Sequence, residues 1–225
     1  MLSDDAFGHV IRVLRLKVGD EITFFNGDGN DYQATLTEVN KKQAKADIKS
    51  TAIISNESPL NIHLGQGISR GDRMDFTLQK SVELGVNSIT PLFTERCGVK
   101  LNAERLEKKR QQWQKIVISA CEQSGRSVVP QVRQPMALQE WLDEATQALK
   151  INLHPRANHS IMGLPLSCER VRLLIGPEGG LTDEEIELAG AANYTEVLLG
   201  PRVLRTETAA LTAITALQCK FGDLS

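Results

Sequence analysis

Two textures of apolar and polar positions divide this chain, and they meet near residues 50–59. Before that point the apolar stretches are short. Ser3 can cap a helix over residues 3–15, with Asp4 and Asp5 in the first turn and Ala6, Val10, Val13 and Leu14 on one face. His9, Arg12 and Arg15 fall nearer its solvent side. Strand-like segments follow over 21–26, 32–39 and 44–48, punctuated by Gly27-Asp28-Gly29-Asn30 and Lys41-Lys42. Short strands in close succession predict a small barrel or sandwich. The segment STAIISNESP, 50–59, turns polar and closes on a proline, and predicts a domain linker.

From residue 60 strands and helices alternate. The pattern predicts a strand over 60–68, a helix over 74–84 carrying Phe76, Leu78, Val82 and Leu84, and a strand over 88–93. A long helix over 103–124 is charged early and apolar later. Pro130 and Pro135 bracket a short extended piece. A helix over 137–149 places Leu138, Trp141, Leu142, Ala145 and Leu149 at helical spacing, and a strand over 149–153 runs into His154-Pro155-Arg156. This alternation implies a three-layer α/β domain with a mostly parallel sheet.

The densest punctuation lies in residues 171–218. An apolar run, 171–175, ends in Gly176-Pro177-Glu178-Gly179-Gly180 and reads as a buried strand. Thr182 and Glu185 form a Thr-x-x-Glu box that starts a helix. A second buried strand, 197–199, ends at Gly200-Pro201 and a basic turn, Arg202 to Arg205, before a final helix over 209–218. Two strands thus end in two glycine loops, and open parallel sheets bind ligands outside the carboxyl ends of their strands. Each loop alone is also an ordinary strand-to-helix turn. Asp183, Glu184 and Glu185 crowd the first helical turn and would repel a phosphate. The spacing matches neither a dinucleotide nor a P-loop fingerprint, so a ligand without phosphates, or with a positive centre, fits better.

Composition narrows the function classes. The net charge of −2 gives no global positive field, so a nucleic acid would be held by local basic patches. Aromatics at 4% argue against a base-stacking platform across a sheet. Cys97, Cys121, Cys168 and Cys219 are far apart, which points to reduced thiols rather than disulfides or zinc. His9, His63, His154 and His159 show no metal-ligand spacing, and no metal is expected. There is no signal-like start, and no apolar run nears the roughly 18 residues of a membrane helix. These features predict a soluble cytoplasmic protein that does not engage a membrane.

The motifs IGPEGG and LGPRVLRTETAALTAI resemble the cofactor-binding signature of the SPOUT methyltransferases. The similarity continues in HVIRVLR (9–15), QKSVELGV (79–86), PLFTERC (91–97) and ACEQSGR (120–126), and the set resembles the ribosomal RNA small subunit methyltransferase E family. That resemblance covers nearly the whole chain. It implies a PUA-like β-barrel RNA-binding domain over 1–56 and a SPOUT α/β domain with a trefoil knot over 60–225. Periodicity alone would give an unknotted doubly wound sheet. It implies S-adenosylmethionine as cofactor, N3 of a uridine in 16S ribosomal RNA of the small subunit as target, and a homodimer built through the knotted domain. The sulfonium of that cofactor is cationic and the molecule has no phosphate, which agrees with the acidic turn. Family members usually begin with a longer segment, whereas Met1 lies just before the HVIRVLR helix; a short natural start and a truncation are both open.

Carried onto this sequence, the resemblance places the cofactor among Leu153, His154, Pro155, Ile175, Gly176, Pro177, Glu178, Gly179, Gly180, Leu199, Gly200, Val203, Leu204 and Thr208. It tilts His9, Arg12 and Arg15 toward RNA contact, against a plain solvated face. Methylating a uridine imide requires in-line positioning, removal of the imide proton and stabilisation of charge on the flanking carbonyl oxygens. Arg202, Arg205 and Glu207 can supply these roles: Arg205 for charge, Glu207 as proton acceptor or as the group that orients the arginine. A local Arg–Glu ion pair is the plain alternative. Glu178 suits a ribose hydroxyl or a backbone donor, Thr206 and Thr208 suit caps or backbone partners, and His154 suits a base or a positioned neutral ring. Cys121 and Cys168 show no base partner. Competing functions are a non-catalytic RNA-binding or ribosome-assembly protein, a sister RNA methyltransferase, and a nucleotide-dependent oxidoreductase. The oxidoreductase lacks its glycine-rich first turn and its acidic ribose ligand.

Overall fold

The structure is a computed structural model that describes residues 1–54, 56–98, 103–165 and 169–224. The chain divides into two compact units, Met1–Asn56 with Gly125–Val129, and Glu57–Ser124 with Pro130–Ser225.

In the first unit Ser3 caps α1 (Asp4–Phe7), its hydroxyl accepting from the Ala6 amide at 3.2 Å. The expected α-helix over 3–15 is not continuous: Gly8–Val13 is π-helical, and the Leu14 amide reaches His9 O at 3.0 Å. The wider turn rotates later side chains off the expected face. Phe7 and Val10 are buried, while Val13 and Leu14 are 66% and 49% exposed. Strands β1 (Glu21–Phe25), β2 (Asn30–Val39) and β3 (Ala44–Ile53) form an antiparallel sheet in that order. β3 runs into the expected linker because Ser50, Thr51, Ala52 and Ile53 pair with Gln33, Tyr32, Asp31 and Asn30. Residues 125–129, expected in the second domain, belong to this unit. Val128 bridges Gly27 and Asp28, the Gly29 amide donates to Ser127 O at 3.1 Å, and the Ser127 hydroxyl donates to Asp31.

The second unit is an α/β domain. Its sheet comprises β4 (Asn61–Gly67), β5 (Ser88–Phe93), β6 (Gln131–Val132), β7 (Met136–Ala137), β8 (Leu149–Leu153), β9 (Arg170–Ile175) and β10 (Thr195–Val197). The order is β10-β8-β9-β4-β5-β6, with β7 also on β5, and every pairing is parallel. All carboxyl ends therefore share one edge. β10 begins and ends two residues before the expected 197–199, in register with Ile151, Asn152 and Leu153.

Consecutive strand residues face opposite sides of a sheet. A Cβ on Gly65 would lie 2.5 Å from the Trp141 ring, and the neighbouring Gln66 donates to Thr206 at 2.9 Å. Trp141 is on α4 (Leu138–Asp143) and Thr206 opens α6 (Thr206–Phe221), so these helices cover opposite faces. α5 (Asp183–Ala191) joins α4 over a cluster containing Leu92, Leu138, Trp141, Leu142, Leu174 and Tyr194. On the other side α2 (Asp72–Glu83) packs against α6 and against α3 (Ala103–Ser124). α2 buries Met74, Thr77, Leu78, Ser81 and Val82 at helical spacing, and leaves Phe76 45% exposed.

α4 stops well short of the expected 149. Glu144 is extended (ψ 124°), and its carboxylate accepts from Arg133 at 2.9 and 3.0 Å and from Arg172 at 2.8 Å. Arg172 also donates to Trp141 O at 2.6 Å and lies 4.1 Å over the Trp141 ring. A buried guanidinium needs such partners, and satisfying it takes precedence over another helical turn. α6 begins before the expected 209, because Arg205 O already accepts from the Ala209 amide at 2.7 Å.

Candidate functional site

Three loops leave the carboxyl ends of adjacent strands β10, β8 and β9 and enclose a cleft of about 560 Å³. Leu153, His154 and Pro155 come from the loop after β8. Ile175, Gly176, Pro177, Glu178, Gly179 and Gly180 come from β9 and its turn. Leu199, Gly200, Arg202, Val203, Leu204, Arg205 and Glu207 come from the segment after β10. Thr208 does not line the cleft. It is exposed on α6, two residues on from the buried Thr206, and so points to another side of the helix. His9, Arg12 and Arg15 lie in the other unit and are all exposed, with Arg12 5.6 Å over the Phe7 ring.

The glycine turn is tightly built. The Gly180 amide donates to Pro177 O at 2.8 Å, and Gly180 has φ +69°, where a side chain is strained. A Cβ on Gly67 would lie 2.5 Å from the Pro177 nitrogen, so the end of β4 must be glycine for the turn to sit against it. Thr182 and Glu185 form the expected capping box: the Glu185 amide donates to Thr182 Oγ1 at 3.2 Å and the Thr182 amide to Glu185 Oε2 at 2.9 Å. The acidic first turn is partly neutralised by Arg156, 2.6 Å from Asp183 in an exposed pair.

Glu178 is engaged within the protein. Its Oε1 accepts from the Arg70 amide at 2.8 Å and from Arg73 at 3.1 Å. Burial alone would raise its carboxyl, but these hydrogen bonds outweigh burial and hold it below the usual range. Thr206 serves as the expected backbone partner: its hydroxyl donates to Gly176 O at 2.6 Å and accepts from Gln66 Nε2 at 2.9 Å. The His154 ring nitrogen Nδ1 lies 3.4 Å from Glu196 Oε2, with no hydrogen bond between them.

Arg202 and Arg205 are exposed, and among the described residues neither forms an ion pair or side-chain hydrogen bond. The plain Arg–Glu pair is therefore not formed. Glu207 Oε2 is buried without a partner among the described residues. Sequence reasoning missed Arg73, Arg96, Arg156, Leu181, Thr206 and Ala209 as lining residues. Arg96 carried a signal, since it follows a predicted strand in the same sheet; Arg73 gave none. Cys168 lies outside the described residues. Among the described residues no group of His, Cys, Asp or Glu is placed to hold a metal, and no helix is long and apolar enough to cross a membrane.

Such a parallel sheet, with ligand loops at one edge, defines a class that comparison with known proteins makes explicit. Residues 56–218 match the RNA methyltransferase domain model, and residues 2–49 match the RNA methyltransferase PUA domain model. The Buchnera aphidicola (Schizaphis graminum) ribosomal RNA small subunit methyltransferase E is 43% identical over 225 residues, covering 100% of this chain and 92% of that protein. The Neisseria gonorrhoeae protein of the same name, solved bound to S-adenosyl methionine, superposes with a TM-score of 0.93 at 44% identity, over 100% of this chain and 92% of that one. A Legionella pneumophila methyltransferase solved with bound SAM gives 0.96 at 49% identity, over 99% and 92%. The chain belongs to the ribosomal RNA small subunit methyltransferase E family.

Proposed function

We propose that this protein transfers the methyl group of S-adenosylmethionine to N3 of a uridine in 16S ribosomal RNA within the small ribosomal subunit. The observation that carries the reading is the cleft itself: a glycine turn, two arginines with no side-chain partner among the described residues and the carboxylate of Glu207, brought together by three adjacent strand ends. When bound, the cofactor supplies an electrophilic methyl group on a sulfonium. Leu153, Ile175, Leu199 and Leu204 offer apolar walls, and Gly176, Gly179 and Gly180 let backbone approach closely. Glu207 Oε2 accepts a proton or a hydrogen bond, and Arg205 stabilises charge on the uridine carbonyl oxygens, with Arg202 beside it. Glu178, held by Arg70 and Arg73, serves the turn rather than the reaction.

The same reading assigns the first unit as the PUA-like barrel, with His9, Arg12 and Arg15 on RNA, and gives the second unit a SPOUT trefoil knot. The tie from Gly176 to Thr206 holds the last helix against the turn after β9. A cytoplasmic homodimer completes it. α6 buries Ala209, Ala210 and Ala213, small residues that also suit packing within one chain. Incorporation of labelled methyl into small-subunit particles, mapped by mass spectrometry, tests the reading. Methylation at another nucleotide would make this a sister enzyme, and cofactor binding without any transfer would leave an RNA-binding protein.

A further inference from the structure

We infer that Arg96 is a positioning residue for the cofactor turn, setting S-adenosylmethionine affinity through Gly179 and Leu181 without contacting RNA. This rests on the cofactor reading of the cleft. Arg96 follows β5, and its Nη1 donates to Gly179 O at 3.0 Å and to Leu181 O at 3.2 Å. The two carbonyls flank Gly180, the residue with φ +69°. A planar trans peptide fixes each carbonyl against the following N–H. Holding Gly179 O therefore orients the Gly180 amide, which donates to Pro177 O at 2.8 Å, and holding Leu181 O orients the Thr182 amide, which donates to Glu185 at 2.9 Å. One guanidinium thus sets both peptide planes between the turn and α5.

The stem of the side chain adds to this. A Cβ on Gly179 would lie 3.0 Å from Arg96 Cβ and 3.4 Å from its Cδ, so the chain rests on the glycine. Next to it the Glu95 amide donates to Glu185 Oε1 at 2.8 Å, so two consecutive residues after β5 bind the turn and the capping box. From another side Glu178 is held by the Arg70 amide and Arg73, and the Arg70 guanidinium lies against Gly98. The turn is thereby gripped from the segments that follow both β4 and β5. Glycines give the turn room for a ligand but also conformational freedom, and Arg96 removes that freedom before the ligand arrives. A lysine is a point charge without the planar fork and would recover this only in part.

The test compares the full-length parent with Arg96→Ala and Arg96→Lys by calorimetric titration of S-adenosylmethionine, thermal melting, and methyl transfer to small-subunit particles at saturating cofactor. Expected is an about 10–100-fold weaker cofactor Kd for Arg96→Ala, on the scale of losing hydrogen bonds from a charged group, with Arg96→Lys between it and the parent. The RNA KM, and the rate at saturating cofactor, change by a smaller factor. Unchanged cofactor affinity in a folded Arg96→Ala overturns the inference, as does a raised RNA KM at constant cofactor Kd, which would make Arg96 an RNA ligand. If Arg96→Ala does not fold, Arg96→Lys carries the same comparison: weakened cofactor binding supports the inference and parent affinity overturns it. A parent protein that binds no S-adenosylmethionine would instead sink the cofactor reading itself.

Discussion

The hydroxyl of Thr206 donates to the carbonyl oxygen of Gly176 across 2.6 Å, joining the first turn of the last helix to the glycine turn after β9. The same hydroxyl accepts from Gln66 Nε2 at 2.9 Å. Three segments far apart in sequence are thus linked through one buried oxygen. Thr206→Val keeps the shape and removes the donor and the acceptor together. It should cost about 1–3 kcal/mol, the scale for leaving buried polar groups unpaired, and weaken cofactor binding as well. Thr206→Ser should restore both. Urea denaturation and cofactor titration of the two variants check this, and a Thr206→Val protein as stable as the parent would show that the link carries no weight.

The glycine turn allows a sharper separation. Among the described residues beyond its chain neighbours, no heavy atom lies within 4 Å of a Cβ built on Gly180, so a side chain there meets open space but an unfavourable φ of +69°. Gly180→Val should be destabilised by about 1–2 kcal/mol through backbone strain and should lose cofactor affinity while remaining folded. At Gly179 the obstacle is the Arg96 side chain, 3.0 Å from the added Cβ, so Gly179→Val should disturb the turn by displacing that arginine. Calorimetry decides: parent affinity in both folded variants would make the turn merely structural.

Much of this arrangement could be read from the residues. The buried run 171–175, the Thr182–Glu185 box and the glycine loops each rest on local chemistry, and local chemistry is what periodicity and capping rules report. The strand over 88–93 and the helix over 103–124 matched residue for residue. The failures have long-range causes. α4 ends at Asp143 because Glu144 is claimed by Arg133 and Arg172, which lie elsewhere in the chain. Residues 125–129 join the first unit through pairing with Gly27 and Asp28, which nothing in their own composition announces. Arg73 and Arg96 reach the cleft only because parallel pairing brings the ends of β4 and β5, one and two strands from β9, to the same edge. The identity of cofactor and target came from motif resemblance, since no periodicity encodes them.

His63 gives the fold a pH dependence. Its Nε2 lies 2.7 Å from Thr90 Oγ1, and its ring meets Trp141 edge-on at 5.7 Å. Burial, aided by the charges of Arg172 and Arg133 and opposed by Glu144, lowers its pKa from 6.5 to about 4. Between those values the unfolded chain binds a proton that the folded chain does not, so stability rises with pH across the window and is lost as pH falls through it. The loss is on the order of 3 kcal/mol at the acid end, at about 1.4 kcal/mol per unit. Glu107, Glu144 and Glu178 are also held low and act in the same direction, but below the ordinary 4.5 of a carboxylate. His63→Gln should therefore flatten the stability curve between about pH 6.5 and pH 5. Denaturation midpoints across that range check it, and an unaltered slope in the variant would refute it.

Arg205 and Glu207 separate binding from chemistry. Both line the cleft, Arg205 with no side-chain partner among the described residues and Glu207 with Oε2 buried and unpartnered among them. Their charges are needed only as the uridine imide ionises, and an interaction stronger in the transition state affects turnover more than ground-state binding. Arg205→Ala should reduce methyl transfer by about 10²–10³-fold, the scale for removing one oxyanion donor, with a much smaller change in S-adenosylmethionine affinity. Glu207→Gln should also slow transfer. If Glu207 takes the proton, raising the pH should restore part of the rate, because solvent then deprotonates the imide. Single-turnover rates on small-subunit particles, measured beside cofactor titrations, distinguish the outcomes. Parent rates in both variants would remove these residues from the mechanism. Rate and cofactor affinity lost in step would make them supports of the loop, and a rate for Glu207→Gln that stays flat with pH would leave the carboxylate orienting Arg205 rather than accepting the proton.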